Sequence, residues 1–367
     1  MFTVTHQNTI SKARTGIIKT AHGDVHTPCF APDATRGAIE YLDSTDMKNV
    51  GLQMTLTNTY HLMTNPGADF IASQGGIHTF ANWDMPVLTD SGGFQAFSLI
   101  QRHRKETSLN TKKSIGKITS EEVIFYDPKN GNKFILTPEI AIQIQYKLGS
   151  DIMMVLDYCI HDDGDERLNR KSVEITIDWA RRCKVEYEKL MKDDTREIKP
   201  QLWGIVQGGN NQELRKYCYE RLEEIGFPGY GYGGWITPES WPTIEQFTKL
   251  VDDDKVKYMM GMGTPEDIKK LISLGYDLMD CVIPTRNARH GLVYTSMGEV
   301  RIKQEKFKED PSALDPNCGC ITCKNYTKAY LRYLFAIDHP TVMRLLSIHS
   351  LTFYMDHVKR IGEAIGK

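Results

Sequence analysis

The chain has 367 residues, 40% of them hydrophobic and 25% charged, with a formal net charge of −2. Such a composition excludes disordered and fibrous classes, and any nucleic-acid affinity must come from a local basic patch rather than from bulk charge. The opening MFTVTHQNTISKARTG has no apolar core and no later run of about 18 apolar residues follows, so a cytoplasmic protein without a membrane span is expected.

In chain order, a hairpin-like opening (GIIKTAHGDVHTPCF) comes first, and short apolar runs then alternate with amphipathic stretches. LQMTLTN, MPVLTD, DIMMVLD, LWGIVQ, YMMGMG and LMDCVI are too short for helices and dense in Val, Ile, Leu and Met, the pattern of buried parallel strands. Between them, residues 138–148, 171–192, 212–226, 239–252 and 265–274 are predicted helices, with Thr264-Pro265-Glu266 as a start signal and Gly149 and Gly275 as stops. Repeated strand–helix units predict an α/β fold with a parallel sheet, either open or closed as a (β/α)8 TIM barrel. Polar or glycine residues stand where the strands end: Asp90, Asp157, Gln207, Gly233, Gly234, Gly261 and Asp280. Barrel strands converge at one rim, where active sites form, whereas an open sheet gathers only those near its switch point. The barrel is the expected fold.

Two segments fall outside the repeat. Residues 102–138 carry Arg102, Arg104, Lys105, Lys112, Lys113 and Lys117, then a hairpin pattern around Asn130-Gly131. Residues 296–367 hold a strand pair around Met297-Gly298, a cysteine cluster and two helices. One catalytic unit spanning 1–367 is expected, with a hairpin insertion near 102–137, a C-terminal zinc-binding subdomain near 296–350 and a final helix. The basic stretch is a candidate contact for RNA phosphates.

Cys318, Cys320 and Cys323 place three soft ligands on one tight turn, which suits tetrahedral Zn2+ in a structural role. The fourth ligand is expected to be His349, separated from Cys323 by 25 intervening residues, with His339 as competitor. The other five cysteines are scattered, which argues against a disulfide scaffold.

Asp90 and Asp280 are the candidate catalytic carboxylates. Asp280 ends an apolar run and precedes a loop bearing Arg286 and Arg289, and Asp90 precedes Ser91-Gly92-Gly93, whose glycines would let a base approach the backbone. Breaking an N-glycosidic bond needs a nucleophile at the anomeric carbon and a proton donor for the leaving base, the problem that glycosidases solve with two carboxylates in different environments.

NTYHLMTNPG, LTDSGGFQAFSL, LWGIVQGG, YMMGMGTPEDI, DCVIPTRNARHG and the Cys3His arrangement resemble the signature segments of tRNA-guanine transglycosylases, in order over nearly the whole chain. Members of that family are zinc-containing (β/α)8 barrels that exchange a guanine in the tRNA anticodon for a 7-deazaguanine without an organic cofactor. The resemblance implies that Asp280 is the nucleophile and Asp90 the general acid/base. It implies base binding by Ser91, Asp157, Gln207, Gly233 and Gly234, and stacking by Phe94 and Met260. Arg286 and Arg289 would hold tRNA with a GUN anticodon, and the family's usual homodimer is expected.

Tyr158 and Trp235 depart from the glutamate and leucine usual in bacterial members, while Thr237 is close in size to their valine and Cys159 is retained. The resemblance therefore favours 7-aminomethyl-7-deazaguanine (preQ1) as the incoming base, with the bulkier queuine as the alternative. A non-catalytic tRNA-binding partner subunit is a further alternative, against which both aspartates argue.

Overall fold

The computed structural model describes residues 2–106, 116–127, 130–160 and 165–365. Eight short strands make one parallel sheet: β1 (Cys29–Pro32), β2 (Thr55–Asn58), β3 (Val87–Asp90), β4 (Ile152–Met154), β5 (Gln201–Val206), β6 (Gly229–Tyr232), β7 (Val256–Met259) and β8 (Leu278–Cys281). Their spatial order is β1-β8-β7-β6-β5-β4-β3-β2, with every neighbouring pair parallel. The remaining seam, between β1 and β2, is joined by the bridge Asp33–Leu56 and by Ala34 N–H donating to the Leu56 carbonyl at 2.7 Å. The sheet is thus the expected barrel, closed at that seam by a short contact rather than a full ladder.

All residues of these strands are buried, because side chains face either the barrel interior or the surrounding helices. Two-sided burial removes the alternation of a half-exposed strand, which is why the runs are continuously apolar. Six of the eight strands carry that signal. β1 was absorbed into the hairpin-like opening, and β6, GYGY, is masked by its glycines. A Cβ on Gly229 would lie 2.9 Å from the Trp203 ring and one on Gly231 2.7 Å from Met260 Sδ, so packing excludes side chains there.

The helices used below are α1 (Gly93–Glu106), α2 (Pro138–Leu148), α3 (Glu166–Asp193), α4 (Gln212–Glu223), α5 (Trp241–Leu250), α6 (Pro265–Ser273), α7 (Ile283–Arg289), α8 (Ile321–Asn325), α9 (Lys328–Ala336) and α10 (Pro340–Ile365). Their ends follow local chemistry. Thr137 accepts from Ile140 N–H at the start of α2, and Gly149 closes it at φ +79°. Thr264 and Asp267 form a reciprocal capping box at α6.

An antiparallel sheet of Phe2–Gln7, Arg14–Thr20 and Gly23–Thr27 lies under the N-terminal ends of the barrel strands. Arg14 pairs with buried Asp277 at 2.6 Å, His22 Nδ1 meets Asp151 at 2.9 Å, and Gln201 donates to the Lys19 carbonyl at 3.0 Å. These contacts cap the lower end. The upper end, where the strands finish, is left for chemistry.

The hairpin after α1 pairs Val123–Tyr126 with Lys133–Leu136, as the Asn130-Gly131 turn predicts. Within the basic stretch, residues 107–115, including Lys112 and Lys113, lie outside the described residues, as do the side chains of Arg102, Arg104 and Lys105. No helix among the described residues is long and apolar enough to cross a membrane.

Candidate active site

Asp90 is the last residue of β3 and Asp280 the third of β8's four residues, and both face one cavity of about 440 Å³ at the upper rim. Asp33, Asn58, Phe94, Gln95, Asp157 and Tyr258 also line it. The two carboxylates, far apart in sequence, therefore share one pocket, and the charge of Asp90 is felt at Asp280.

Asp280 is held on one oxygen. The Tyr258 hydroxyl donates to Oδ1 at 2.6 Å and the Gly261 N–H donates to the same atom at 2.9 Å. Oδ2 takes neither of these two bonds. Burial pushes the carboxyl up to about 7, against the pull of Tyr258 and Gly261 and with a push from Asp33 and Asp90.

Asp90 accepts from Asn58 Nδ2 at 2.8 Å. Burial raises its pKa, while the Gln95 side chain and the backbone N–H groups of Gly92 and Ser91 act the other way. The glycines beside it serve packing: a Cβ on Gly92 would meet Tyr60 N at 2.9 Å, and one on Gly93 the Asp157 carbonyl at 2.9 Å. That differs from the expectation that they make room for a base.

Asp157 accepts from Gln207 Nε2 at 2.6 Å and from Ser91 Oγ at 3.3 Å. Burial, then the charge of Asp90, pushes it up to about 7. Of the expected base-binding residues, Asp157, Phe94, Gly233, Gly234 and Met260 line the cavity, whereas Ser91 and Gln207 do not and instead orient Asp157. Gly233 is a glycine for the same reason, since a Cβ there would sit 2.7 Å from Gln207 Nε2.

Two features escaped the sequence. Buried Arg215, on α4, donates to the carbonyls of Gly209, Val206 and Gly233 at 2.7, 2.9 and 2.9 Å, with its guanidinium 3.6 Å from the Tyr232 ring centroid. It fastens the loops after β5 and β6 together. An arginine in an amphipathic helix carries no signal of such a role. The other is Asp33 on the cavity wall, which follows Pro32 and reads as a turn residue.

At the mouth, Phe94 and Trp235 stack with centroids 6.1 Å apart, and both are substantially exposed. Trp235 lines the cavity, whereas Tyr158 turns away and meets the Trp179 ring edge-on at 5.9 Å. Arg286 lines the cavity too. Arg289, a turn later on α7, does not, but its charge acts on Asp33, opposing the burial that raises that carboxyl's pKa.

The ligand atoms of Cys318, Cys320, Cys323 and His349 lie within 4.8 Å of one another and could hold a metal ion. His349 Nδ1 is 3.8 Å from Cys320 Sγ and 3.3 Å from Cys323 Sγ, while Nε2 meets the Tyr294 carbonyl at 3.0 Å. That arrangement fixes the tautomer in which Nδ1 faces the thiols and suits a soft, tetrahedral site. His339 is exposed and lies outside the cluster.

A (β/α)8 barrel whose upper rim holds a cavity lined by buried acids has the layout of a barrel enzyme. A family model described as Queuine tRNA-ribosyltransferase matches residues 9–367. Proteins of the same name are 43% identical in Thermodesulfovibrio yellowstonii and 40% identical in Thermoanaerobacter pseudethanolicus, each over 97% of this chain and covering 89% and 90% of the relative. The protein of that name from Francisella tularensis subsp. novicida is 40% identical over 96% of this chain and 92% of its own length. The chain belongs to the queuine tRNA-ribosyltransferase family, a family of pentosyltransferases.

Proposed function

We propose that the chain exchanges guanine at the wobble position of tRNA with a GUN anticodon for a 7-deazaguanine, through a covalent Asp280–ribose intermediate, in queuosine biosynthesis. One observation carries this reading: two buried carboxylates in different hydrogen-bonding environments face one cavity beside Asp157. Asp280 Oδ2 attacks C1′, the ester bond forms as the bond to guanine breaks, and the leaving guanine takes a proton from Asp90. Asp90 then removes a proton from the incoming base, whose ring nitrogen attacks C1′ and releases the Asp280 carboxylate. Two displacements retain the configuration of the sugar.

Raised pKa values suit these roles differently. Asp90, pushed towards its protonated form, is fitted to give a proton. Asp157 can accept N–H donors of the purine edge on both its oxygens only when ionised, and Asp280 attacks only when ionised. Since both are pushed up to about 7, kcat/KM for exchange is expected to rise with pH across roughly pH 6 to 8. A pH–rate profile that stays flat through that window would contradict the assignment.

An anticodon base is already largely unpaired, so extruding it into the cavity costs only about a few kcal/mol. Phe94 and Met260 would stack on it, and Arg286 and Arg289 would hold the flanking nucleotides. The Cys3His cluster would bind one structural Zn2+ per chain, its four protein ligands leaving no position for a reacting water. The chain is assigned to the cytoplasm, where tRNA is modified. The expected homodimer is supported by an apolar strip along α9 and its C-cap, where Tyr330, Tyr333 and Ile337 are exposed.

The incoming base is assigned as preQ1. Trp235, stacked against Phe94, narrows the mouth, and by the family resemblance Thr237 keeps a side chain where members that take the bulkier base carry glycine. Labelled guanine is expected to enter tRNA and not duplex DNA, and preQ1 to outcompete queuine for the same position. Preferential uptake of queuine would assign the salvage reaction instead. Binding of tRNA without any label would assign the partner-subunit role.

A further inference from the structure

Asp33 is the one acid of the cavity wall with no part in the exchange just described. It follows β1, whose Ala31 and Pro32 pair with Asp280 and Cys281 of β8, and it bridges to Leu56 of β2. In the β2–β3 ladder Asn58 pairs with Asp90. Around the rim the order is therefore Asp280, Asp33, Asn58, Asp90. Asp33 stands between the two catalytic candidates, half-buried, and its charge raises the pKa of both. A third acid in so desolvated a place is unfavourable on its own, because like charges there repel.

The protein satisfies it only in part. Thr35 donates to it through Oγ1, at 2.5 Å to Oδ1, and through its backbone N–H, and among the described residues no other side chain donates to it. Burial raises its pKa, while the hydrogen bonds from Thr35 and, less, the Arg289 cation act the other way.

The substrate can supply the missing donor. When C1′ of the sugar faces Asp280 Oδ2, the 2′-carbon is one bond away, so the 2′-hydroxyl falls among the groups flanking Asp280. On the β7 side that flank is Tyr258, whose hydroxyl is already donated to Asp280. On the β1 side it is Asp33. We propose that Asp33 accepts the hydrogen bond of the 2′-hydroxyl of the exchanged nucleotide and makes the pocket selective for RNA over DNA. The 2′-hydroxyl is the group that tells the two apart, and hydrogen bonds at the neighbouring hydroxyl of a glycosyl centre strengthen as positive charge develops there. The effect is therefore expected in kcat more than in KM.

This inference rests on the exchange reaction, so the test carries its own control. Exchange of labelled guanine is measured into an RNA anticodon stem-loop and into the same loop with a single 2′-deoxyguanosine at the exchanged position. The wild-type chain is expected to use the deoxy loop roughly 10- to 100-fold more slowly, the range for a hydrogen bond to a charged group. Asp33→Ala is expected to slow the all-ribose loop by a similar factor and to leave the deoxy rate within about twofold, so that discrimination collapses. Asp33→Asn keeps the volume and a neutral acceptor and should fall between the two. If Asp33→Ala does not fold, Asp33→Asn alone decides. Variants that slow both loops equally, or that keep the wild-type preference, overturn the assignment. A wild-type chain that labels neither loop overturns the exchange reaction itself, and this role with it.

Discussion

Asp280→Asn is expected to lower base exchange by roughly 10⁴-fold or more while tRNA binding stays within a small factor of wild type. The amide is nearly the same shape, and its oxygen can keep the bonds from the Tyr258 hydroxyl and the Gly261 N–H. What it loses is the nucleophilic oxygen. A denaturant-resistant protein–RNA adduct should form with the wild-type chain in the absence of an incoming base and be missing with the variant. The same substitution should stabilise the fold. Burial raises the Asp280 carboxyl from 3.8 to about 7, so its contribution to stability is present below pH 3.8 and is lost as pH rises through 7. At pH 8 the variant is therefore expected to melt at a higher temperature than wild type, with the gain disappearing towards pH 4. Near-normal turnover by Asp280→Asn would remove the nucleophile role, and an unchanged melting temperature at pH 8 would remove the electrostatic account of it.

The sequence exposed the barrel where physics leaves a one-dimensional trace. Two-sided burial produced the apolar runs of β2, β3, β4, β5, β7 and β8, and the chemistry at their ends stood out as Asp90, Asp157, Gln207 and Asp280. Where glycine replaces apolar side chains for reasons of packing, as in β6, no trace remains. The cluster of Cys318, Cys320, Cys323 and His349, which could hold a metal ion, was legible because three thiols at such spacing have few other uses. Arg215 and Asp33 were not. Each acts through contacts to residues far along the chain, Arg215 through three backbone carbonyls and Asp33 through its place between β8 and β2. Periodicity cannot register either. The division of labour around Asp157 was also hidden, since only the geometry separates a residue on the cavity wall from Ser91 and Gln207 behind it.

Loss of the metal is expected to reach the pocket through α10. His349 lies on that helix and joins the cysteines on and before α8 to the hairpin of Leu292–Thr295, through Nε2 and the Tyr294 carbonyl. Further along α10, the Tyr354 hydroxyl donates to the Gly263 carbonyl at 2.9 Å and its ring meets Phe30 of β1 at 5.0 Å. The helix also packs along α7, which carries Arg286 and Arg289. One cluster thus ties together the loop after β7, whose Gly261 N–H holds Asp280, and the helix that presents both arginines. Cys323→Ser, or stripping by a chelator, is expected to remove about one zinc per chain and to destabilise the fold by several kcal/mol, given apparent binding free energies of roughly 10–16 kcal/mol at structural zinc sites. Proteolysis should then begin within residues 296–350, and RNA affinity should weaken before the chemical step does, because α7 loosens while β3 and β8 still hold Asp90 and Asp280. Cys29→Ser is the control: that thiol is buried in β1, outside the cluster. If Cys323→Ser keeps both its metal content and its melting temperature, the cluster does not bind the ion, and the coupling from α10 to the pocket has no basis.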